Sequence, residues 1–409
     1  MIGGRAIRIT SRLTQLQKLV HSIVTGALVC WIATATQAFE VSLTGVTDED
    51  LKATLEGASL SLESSEQEET PSVQEIISTA QADYRRLLAV LYDNGYFGPS
   101  IIINVDGREV STLDPVTPPS SVNRIDILVS TGRKFRFGQV EVTPSSPSTE
   151  LPEGFRLGEK ASLGALKAAA RAGVSGWRAD GHAKAEVTGQ SVTANHQRAT
   201  VDASIALEPG PKLKFGPLVV GGTSKVRSER IVEIAGLPVG TVFSPDELDD
   251  SADRLRRTGA FRSVAMIESD DIKPDNTMPI EVQVADQKPR RIGFGGEIAT
   301  TEGLTLRGYW IHRNLLGGAE RLRFNAEISG LGGDSGDTDY IFGVNYERPA
   351  TFNADTNFFA LGKFESLDQE LYDSDQLTLG VGIEYFESDE RTYTFGAGIQ
   401  RASVDDAFG

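Results

Sequence analysis

The sequence predicts an α+β fold in two parts: three β-α-α-β-β units in succession, then an antiparallel transmembrane β-barrel of which about seven strands are present. Three observations lead there. In the first part, two independent markers recur at a spacing of 78 residues. In the last quarter, apolar and polar residues alternate, most plainly across Arg321-Leu322-Arg323-Phe324-Asn325-Ala326-Glu327-Ile328-Ser329, the period-2 signature of a strand with one apolar and one polar face. At the N-terminus stands an export signal, so a membrane met afterwards is met from outside the cytoplasm.

That signal occupies residues 1–38. Arg5, Arg8, Arg12 and Lys18 precede an apolar run from Leu19 to Ala33, and Thr36-Gln37-Ala38 offers small residues for cleavage. The run is shorter than the roughly 20 residues a membrane helix needs. No later stretch is apolar enough to span as a helix. The single cysteine, Cys30, leaves with the leader, which excludes disulfides, thiolate-bound zinc and thiol catalysis in the remainder. The formal charge of −17 is spread along the chain and argues against a nucleic-acid partner.

The repeats occupy residues 39–131, 132–210 and 211–288. Phe135-Arg136-Phe137-Gly138-Gln139-Val140-Glu141-Val142 is echoed by Leu213-Lys214-Phe215-Gly216-Pro217-Leu218-Val219-Val220, and more faintly by Phe39–Val46. The second marker reads Asn94-Gly95-Tyr96-Phe97, Asp180-Gly181-His182-Ala183 and Thr258-Gly259-Ala260-Phe261. A strand opens each unit and two helices follow. In the third copy the first helix is expected over Ser224–Ala235, stopped by Gly236, and the second starts at Ser244-Pro245-Asp246-Glu247, an N-cap with proline at N1. In the first copy the second helix is expected from Ser72 to Asp93. The first helix of the second copy is expected within Pro152–Leu157. Each marker glycine then caps a helix in the left-handed region. The closing strands are expected at Ser100–Asp106 with Arg124–Val129, Ala183–Thr188 with Ala199–Leu207, and Phe261–Glu268 with Pro279–Val284. Such a three-stranded sheet keeps an unpaired edge.

Residues 289–409 lose the helical period and gain glycine. Seven strands are expected: Arg291–Thr300, Leu304–His312, Glu320–Gly330, Thr338–Arg348, Thr356–Ser366, Asp375–Phe386 and Arg391–Arg401. Short turns (Asn314–Gly318, Pro349–Asp355) are expected on one side, and acidic loops (Leu331–Asp337, Ser388-Asp389-Glu390) on the other, the habit of a membrane barrel. The polar face is read as rich in small residues (Gly380, Gly382, Thr394, Gly396, Gly398), as in a crowded lumen. Tyr309, Trp310, Tyr346, Phe352, Phe358, Tyr385 and Phe386 are read as an interfacial girdle.

No motif carries catalytic chemistry. Gly293-Phe294-Gly295-Gly296 lacks the following helix of a nucleotide site. Asp334, Asp337 and Asp339 miss the spacing of a calcium loop. Asp270-Asp271 with Asp275-Asn276 suits a turn. His182, His196 and His312 are in no metal-ligand spacing. We therefore expect no enzyme activity, no cofactor and no metal.

The β-α-α-β-β grammar resembles the polypeptide-transport-associated repeat. The stretch Gly308-Tyr309-Trp310-Ile311-His312-Arg313-Asn314-Leu315-Leu316-Gly317-Gly318-Ala319-Glu320-Arg321-Leu322 resembles the first periplasmic hairpin of the bacterial surface antigen family. A count of three repeats is similar to the translocation and assembly module branch, whereas the core assembly-machine branch usually carries more and two-partner secretion pores fewer. The resemblance implies an outer-membrane factor, with residues 39–288 in the periplasm, that receives unfolded outer-membrane or autotransporter clients. It also implies contact with outer-membrane lipid and an inner-membrane-anchored TamB-like partner. Clients would add a strand to an exposed edge, for which the candidates are Phe261, Ser263, Ala265 and Ile267, and Ile292, Phe294, Gly296 and Ile298. A passive pore, a two-partner secretion transporter, a core assembly subunit and a purely structural periplasmic adaptor remain alternatives. The family's barrel closes with many more strands than the seven read here, so the chain is expected to be a truncated product.

Overall fold

The computed structural model describes residues 39–67, 71–114, 116–300, 303–333, 338–369, 372–388 and 390–406. The leader at 1–38 with Cys30, the acidic residues Asp334, Asp337 and Asp389, and residues 407–409 lie outside them. The chain divides into two compact units. One comprises Met1–Val140, Glu153–Lys167 and Ser191–Ala203, the other Glu141–Pro152, Ala168–Gln190 and Ser204–Gly409, so the division crosses the second repeat.

The first repeat runs β1 (Glu40–Thr44), α1 (Glu49–Ala58), α2 (Leu60–Ser65), α3 (Val73–Asp93), β2 (Ser100–Val105), β3 (Arg108–Glu109) and β4 (Arg124–Ser130). Its sheet has the order β1-β4-β2-β3, one short strand more than the three expected, with β1 parallel to the central β4. Helix α3 starts where the sequence places it because Ser72 and Glu75 form a reciprocal capping box, Ser72 N donating to Glu75 Oε2 at 2.8 Å. That bond holds the Glu75 carboxyl below its usual range. The apolar stripe Ile76, Ile77, Ala80, Leu87 and Leu91 is buried with Ile125, Ile127 and Val129 of β4, the alternate residues of one sheet face. Asp83, fully buried on the same helix, is satisfied by Ser59 Oγ at 2.8 Å and Leu60 N at 2.7 Å, where α2 begins.

The second repeat has β5 (Arg136–Thr143), α4 (Leu163–Ala179), β6 (Glu186–Asn195) and β7 (Thr200–Glu208), with sheet order β5-β7-β6. Pro152–Leu157 forms turns, not the expected helix. Pro152 and Gly154 disfavour one, and Phe155 is drawn edge-on to Phe137 with centroids 5.2 Å apart. The following residues hydrogen-bond to β5 instead, Phe137 N to Glu159 O at 2.8 Å. Strand β6 starts later than expected and runs on to Asn195. Helix α4 contains Gly173 and Gly176, each costing roughly 1 kcal/mol of helix propensity. A Cβ at Gly176 would lie 2.7 Å from Thr149 Cα, so the close backbone approach there requires glycine.

The third repeat has β8 (Lys214–Gly221), α5 (Ser228–Ala235), α6 (Pro245–Arg257), β9 (Phe261–Glu268) and β10 (Thr277–Asp286), ordered β8-β10-β9 with β8 parallel to β10. Helix α5 starts four residues later than expected. Ser224 Oγ and Lys225 N donate to Asp286 at 2.6 and 2.7 Å, which keeps that segment on the sheet. Gly236 ends α5 at φ 58°, and the marker glycines Gly95, Gly181 and Gly259 all have positive φ.

The remainder is a seven-stranded antiparallel sheet in strictly sequential order: β11 (Arg290–Ala299), β12 (Gly303–His312), β13 (Arg321–Leu331), β14 (Asp339–Arg348), β15 (Thr356–Gln369), β16 (Tyr372–Ser388) and β17 (Arg391–Asp406). The register aligns apolar residues across every strand: Ile292, Trp310, Phe324, Val344, Gly362, Leu379 and Ile399 form one row. Phe294 and Ile298 on this face are 88% and 85% exposed. Apolar surface that extensive marks contact with lipid or protein. No helix among the described residues is long and apolar enough to cross a membrane, which says nothing of crossing by strands.

The other face is more charged than the sequence reading implied. Arg307 pairs with Glu327 at 2.9 Å and Glu297 at 3.0 Å, and Arg321 with Glu347 at 2.7 Å. The expected small residues lie on β16 and β17, where Gly382 and Gly396 seat the Phe359 ring: a Cβ on Gly382 would come within 2.5 Å of it. Tyr309 lies on this polar face over Gly293, so it is no part of the girdle. Strand parity also corrects the connections. Residues 388–391 join β16 to β17 on the same side as the turns 313–320 and 349–355, not opposite them.

Candidate strand-addition edges and the base of the sheet

Both candidate segments lie on edge strands. Among the described residues, β9 pairs with β10 alone and β11 with β12 alone. Along β9, Phe261 is buried in the core of the third repeat, while Ser263, Ala265 and Ile267 are exposed. Two carbonyls of this strand are already engaged. Val264 O accepts from Arg256 Nη2 at 3.3 Å, and Glu268 O from Lys184 Nζ at 3.4 Å. Arg178 Nη2 also donates to Glu268 Oε1 at 2.5 Å, and Lys184 pairs with Asp270 at 2.7 Å, which holds the Asp270 carboxyl below its usual range. A strand adding to β9 would have to displace these cations, the familiar protection of a sheet edge by charged side chains.

On β11, Ile292, Phe294, Gly296 and Ile298 share the apolar face, and all are exposed. Among the described residues, no side chain donates to the backbone of this strand. Its free edge therefore offers main-chain donors and acceptors together with an apolar row, the two elements of recognition by strand addition.

What the sequence did not foretell is how firmly the third repeat holds the base of the sheet. In the turn between β12 and β13, Glu320 is 3% exposed and accepts from Leu316 N at 3.1 Å and Gly318 N at 2.9 Å. Asn314 Oδ1 accepts from Ala319 N at 3.0 Å, and its Nδ2 donates to Lys225 O at 2.9 Å. The Asn-Leu-Leu-Gly-Gly-Ala-Glu motif is thus a self-bonded turn that the third repeat reads through its backbone; Arg227 N donates to Gly317 O at 2.9 Å. In the turn between β14 and β15, Arg230 Nη2 donates to Pro349 O at 2.6 Å, and Arg254 makes a forked pair with Asp355 at 2.6 and 3.2 Å. Ala319 and Ala350 enter the apolar core of the repeat beside Phe215 and Ile231. Arg257 lies 4.0 Å from the ring centroid of Phe386, near the end of β16 and two residues before the third connection. Three connections of the sheet therefore rest on α5 and α6.

No family model and no curated protein matches the chain. Solved structures do. BamA from Haemophilus ducreyi lacking POTRA (polypeptide-transport-associated) domains 1–3 is similar at 16% identity and TM-score 0.53, over 66% of this chain and 51% of that one. POTRA3–5 of Haemophilus influenzae BamA matches at 14% identity and TM-score 0.43, over 61% of this chain and 95% of that one. CdiB from Escherichia coli matches at 14% identity and TM-score 0.39, over 83% of this chain and 62% of that one. The chain spans about half the length of the first of these. That likeness gives the fold: mixed α/β repeats of the POTRA type, leading into an antiparallel sheet like the wall of the BamA barrel.

Proposed function

We propose that the chain is an outer-membrane assembly or translocation factor of the TamA type. Its repeats face the periplasm and receive unfolded outer-membrane or autotransporter clients, and β11 offers them a strand edge. The observation that carries this is the unengaged, apolar edge of β11, which follows directly on a repeat clamped to the base of its own sheet. The BamA-like fold supports it. In this reading β11 borders a lateral seam with the barrel's closing strand, a TamB-like protein anchored in the inner membrane docks on the repeats, and no catalysis is involved. The charged edge of β9 favours β11 over β9 as the receiving strand.

The test is site-specific photo-crosslinking in cells that secrete an autotransporter, with the probe placed at Phe294 or Ile298 and, for comparison, at Ile267. Adducts with the client from β11 are expected. Adducts from Ile267 alone, or none from any position while the protein is folded in the membrane, would overturn the proposal. A conducting pore is the second reading, favoured by the Arg307 and Arg321 ion pairs on the polar face. Steady single-channel conductance with client secretion unchanged in a deletion strain would select it.

A further inference from the structure

At the base of β11, where the third repeat passes into the sheet, lies a cavity of about 680 Å³. Four cations line it: Lys225, Lys288, Arg290 and Arg313. Among the described residues none of the four has a carboxylate within ion-pair distance. One acidic residue, Asp286, shares the lining, and its oxygens already accept from Ser224 Oγ and Lys225 N. Arg313 is aimed by its bond to Lys288 O at 3.2 Å. Such a gathering of like charge is unfavourable on its own, and it stands out in a chain with a formal charge of −17.

The surroundings indicate what would neutralise it. Arg290 opens β11, His312 closes β12, and Trp310 sits two residues above on the apolar face, 5.7 Å from Phe324 between ring centroids. Trp on the apolar face beside a basic end of a strand is the arrangement found at a membrane–water interface. Basic pockets at that depth suit lipid phosphates. We infer that the Lys225–Lys288–Arg290–Arg313 cavity binds a phosphate-bearing anion. The chemistry is shared by an anionic phospholipid headgroup and by free phosphate. Bound there, it would bridge the linker at Lys288–Arg290 to the turn at Arg313 and so steady the first residues of β11.

The lipid arm rests on the membrane reading of the sheet; the phosphate arm does not. The full chain in neutral detergent micelles is titrated with phosphatidylglycerol, with phosphatidylcholine and with inorganic phosphate, and binding is read by native mass spectrometry. Wild type is expected to retain phosphatidylglycerol over phosphatidylcholine, inorganic phosphate, or both. Retention should fall about fivefold for each cation removed in Lys225→Gln, Lys288→Gln and Arg313→Gln. Arg313→Lys should restore most of it, and Arg198→Gln, in the second repeat and outside the cavity lining, should leave it unchanged. Lipid retained without phosphate identifies the headgroup; phosphate retained without lipid preference identifies the free anion. Retention of neither, or retention insensitive to all three substitutions, would overturn the inference. Failure of the sheet to insert into vesicles, followed separately by heat-modifiable migration in gels, would count against the membrane reading and not against the cavity.

Discussion

Replacing Arg254 by alanine should loosen the grip of the third repeat on the sheet. Its side chain is 13% exposed and that of Asp355 31%. The pair thus falls between a solvated surface bridge, worth about 0.2–1 kcal/mol, and a fully buried one, whose one-sided loss costs about 3–5 kcal/mol. Arg254 Nη1 also donates to Ala235 O at 3.2 Å, at the end of α5, a bond worth about 1 kcal/mol. Together these put Arg254→Ala at about 2 kcal/mol. Only part of that is shared with Asp355, so a double-mutant cycle should return a coupling of about 1 kcal/mol. Two kilocalories raise the opening equilibrium about 30-fold. Native-state hydrogen exchange on the full chain in micelles would read it: amides of 349–356 and of the last turn of α5 should exchange faster by that factor, while those of α3 stay unchanged. A rise below about twofold, or a coupling under about 0.3 kcal/mol, would refute the clamp.

Gly382→Val should collide with the Phe359 ring and cost about 1–3 kcal/mol by overpacking, whereas Gly295→Ala, with nothing within 4 Å of its Cβ, should be neutral; loss of the folded, heat-modifiable band for the first alone is the readout. Leu87→Ala, at a fully buried position, should cost about 2–5 kcal/mol and lower the urea midpoint of the first repeat. Acid should weaken the second repeat through Asp180, whose carboxyl is held below its usual range first by Ser146 and then by Ser148. Because the folded-state pKa is depressed, that stabilisation is present above the unfolded value of about 3.9 and fades as the pH falls through the folded one. Asp180→Asn should therefore narrow the difference between urea midpoints at neutral pH and near pH 3.

Local signals carried most of the fold. The capping box at Ser72 and Glu75, the proline at 245 and the positive-φ glycines at 95, 181 and 259 each act within one turn, and the structure places the elements where they say. The seven strands were legible because alternation persists over whole strands and a one-residue slip would turn every side chain to the wrong face. The misreadings share a different cause. Ser224 looked like a helix start, but its partner Asp286 lies 62 residues on. Pro152–Leu157 reads as a helix in the sequence, although Phe155 is held by Phe137. Tyr309 reads as part of an aromatic girdle, but its own parity sends it to the polar face. For the candidate site, edge position could be inferred from unit order, but not the engagement of β9 by Lys184 and Arg256, nor Arg230 and Arg254. Those contacts join residues 84 to 119 positions apart, or depend on which side of a helix meets another element.

The two edges differ in a way that bears on how a client would be received. β9 lies in a unit whose helices face its own sheet, so its edge can be covered by cations from neighbouring elements, and it is. β11 has an apolar face on one side and an ion-paired face on the other, and it leaves the third repeat at Arg290 without a helix to shield it. An edge of that kind exposes aggregation-prone backbone unless another strand takes it. The clamp at Asp355 and Pro349 holds β14 and β15, and the self-bonded turn at 313–320 holds β12 and β13. Among the described residues, β11 itself is tied through its pairing with β12, the Arg307–Glu297 ion pair to that same strand, and the bonds from Arg313 to Pro289 and Lys288. Among the strands next to the third repeat, from β11 to β16, opening at low cost is therefore expected to begin at β11, the strand that the apolar edge and the basic cavity share.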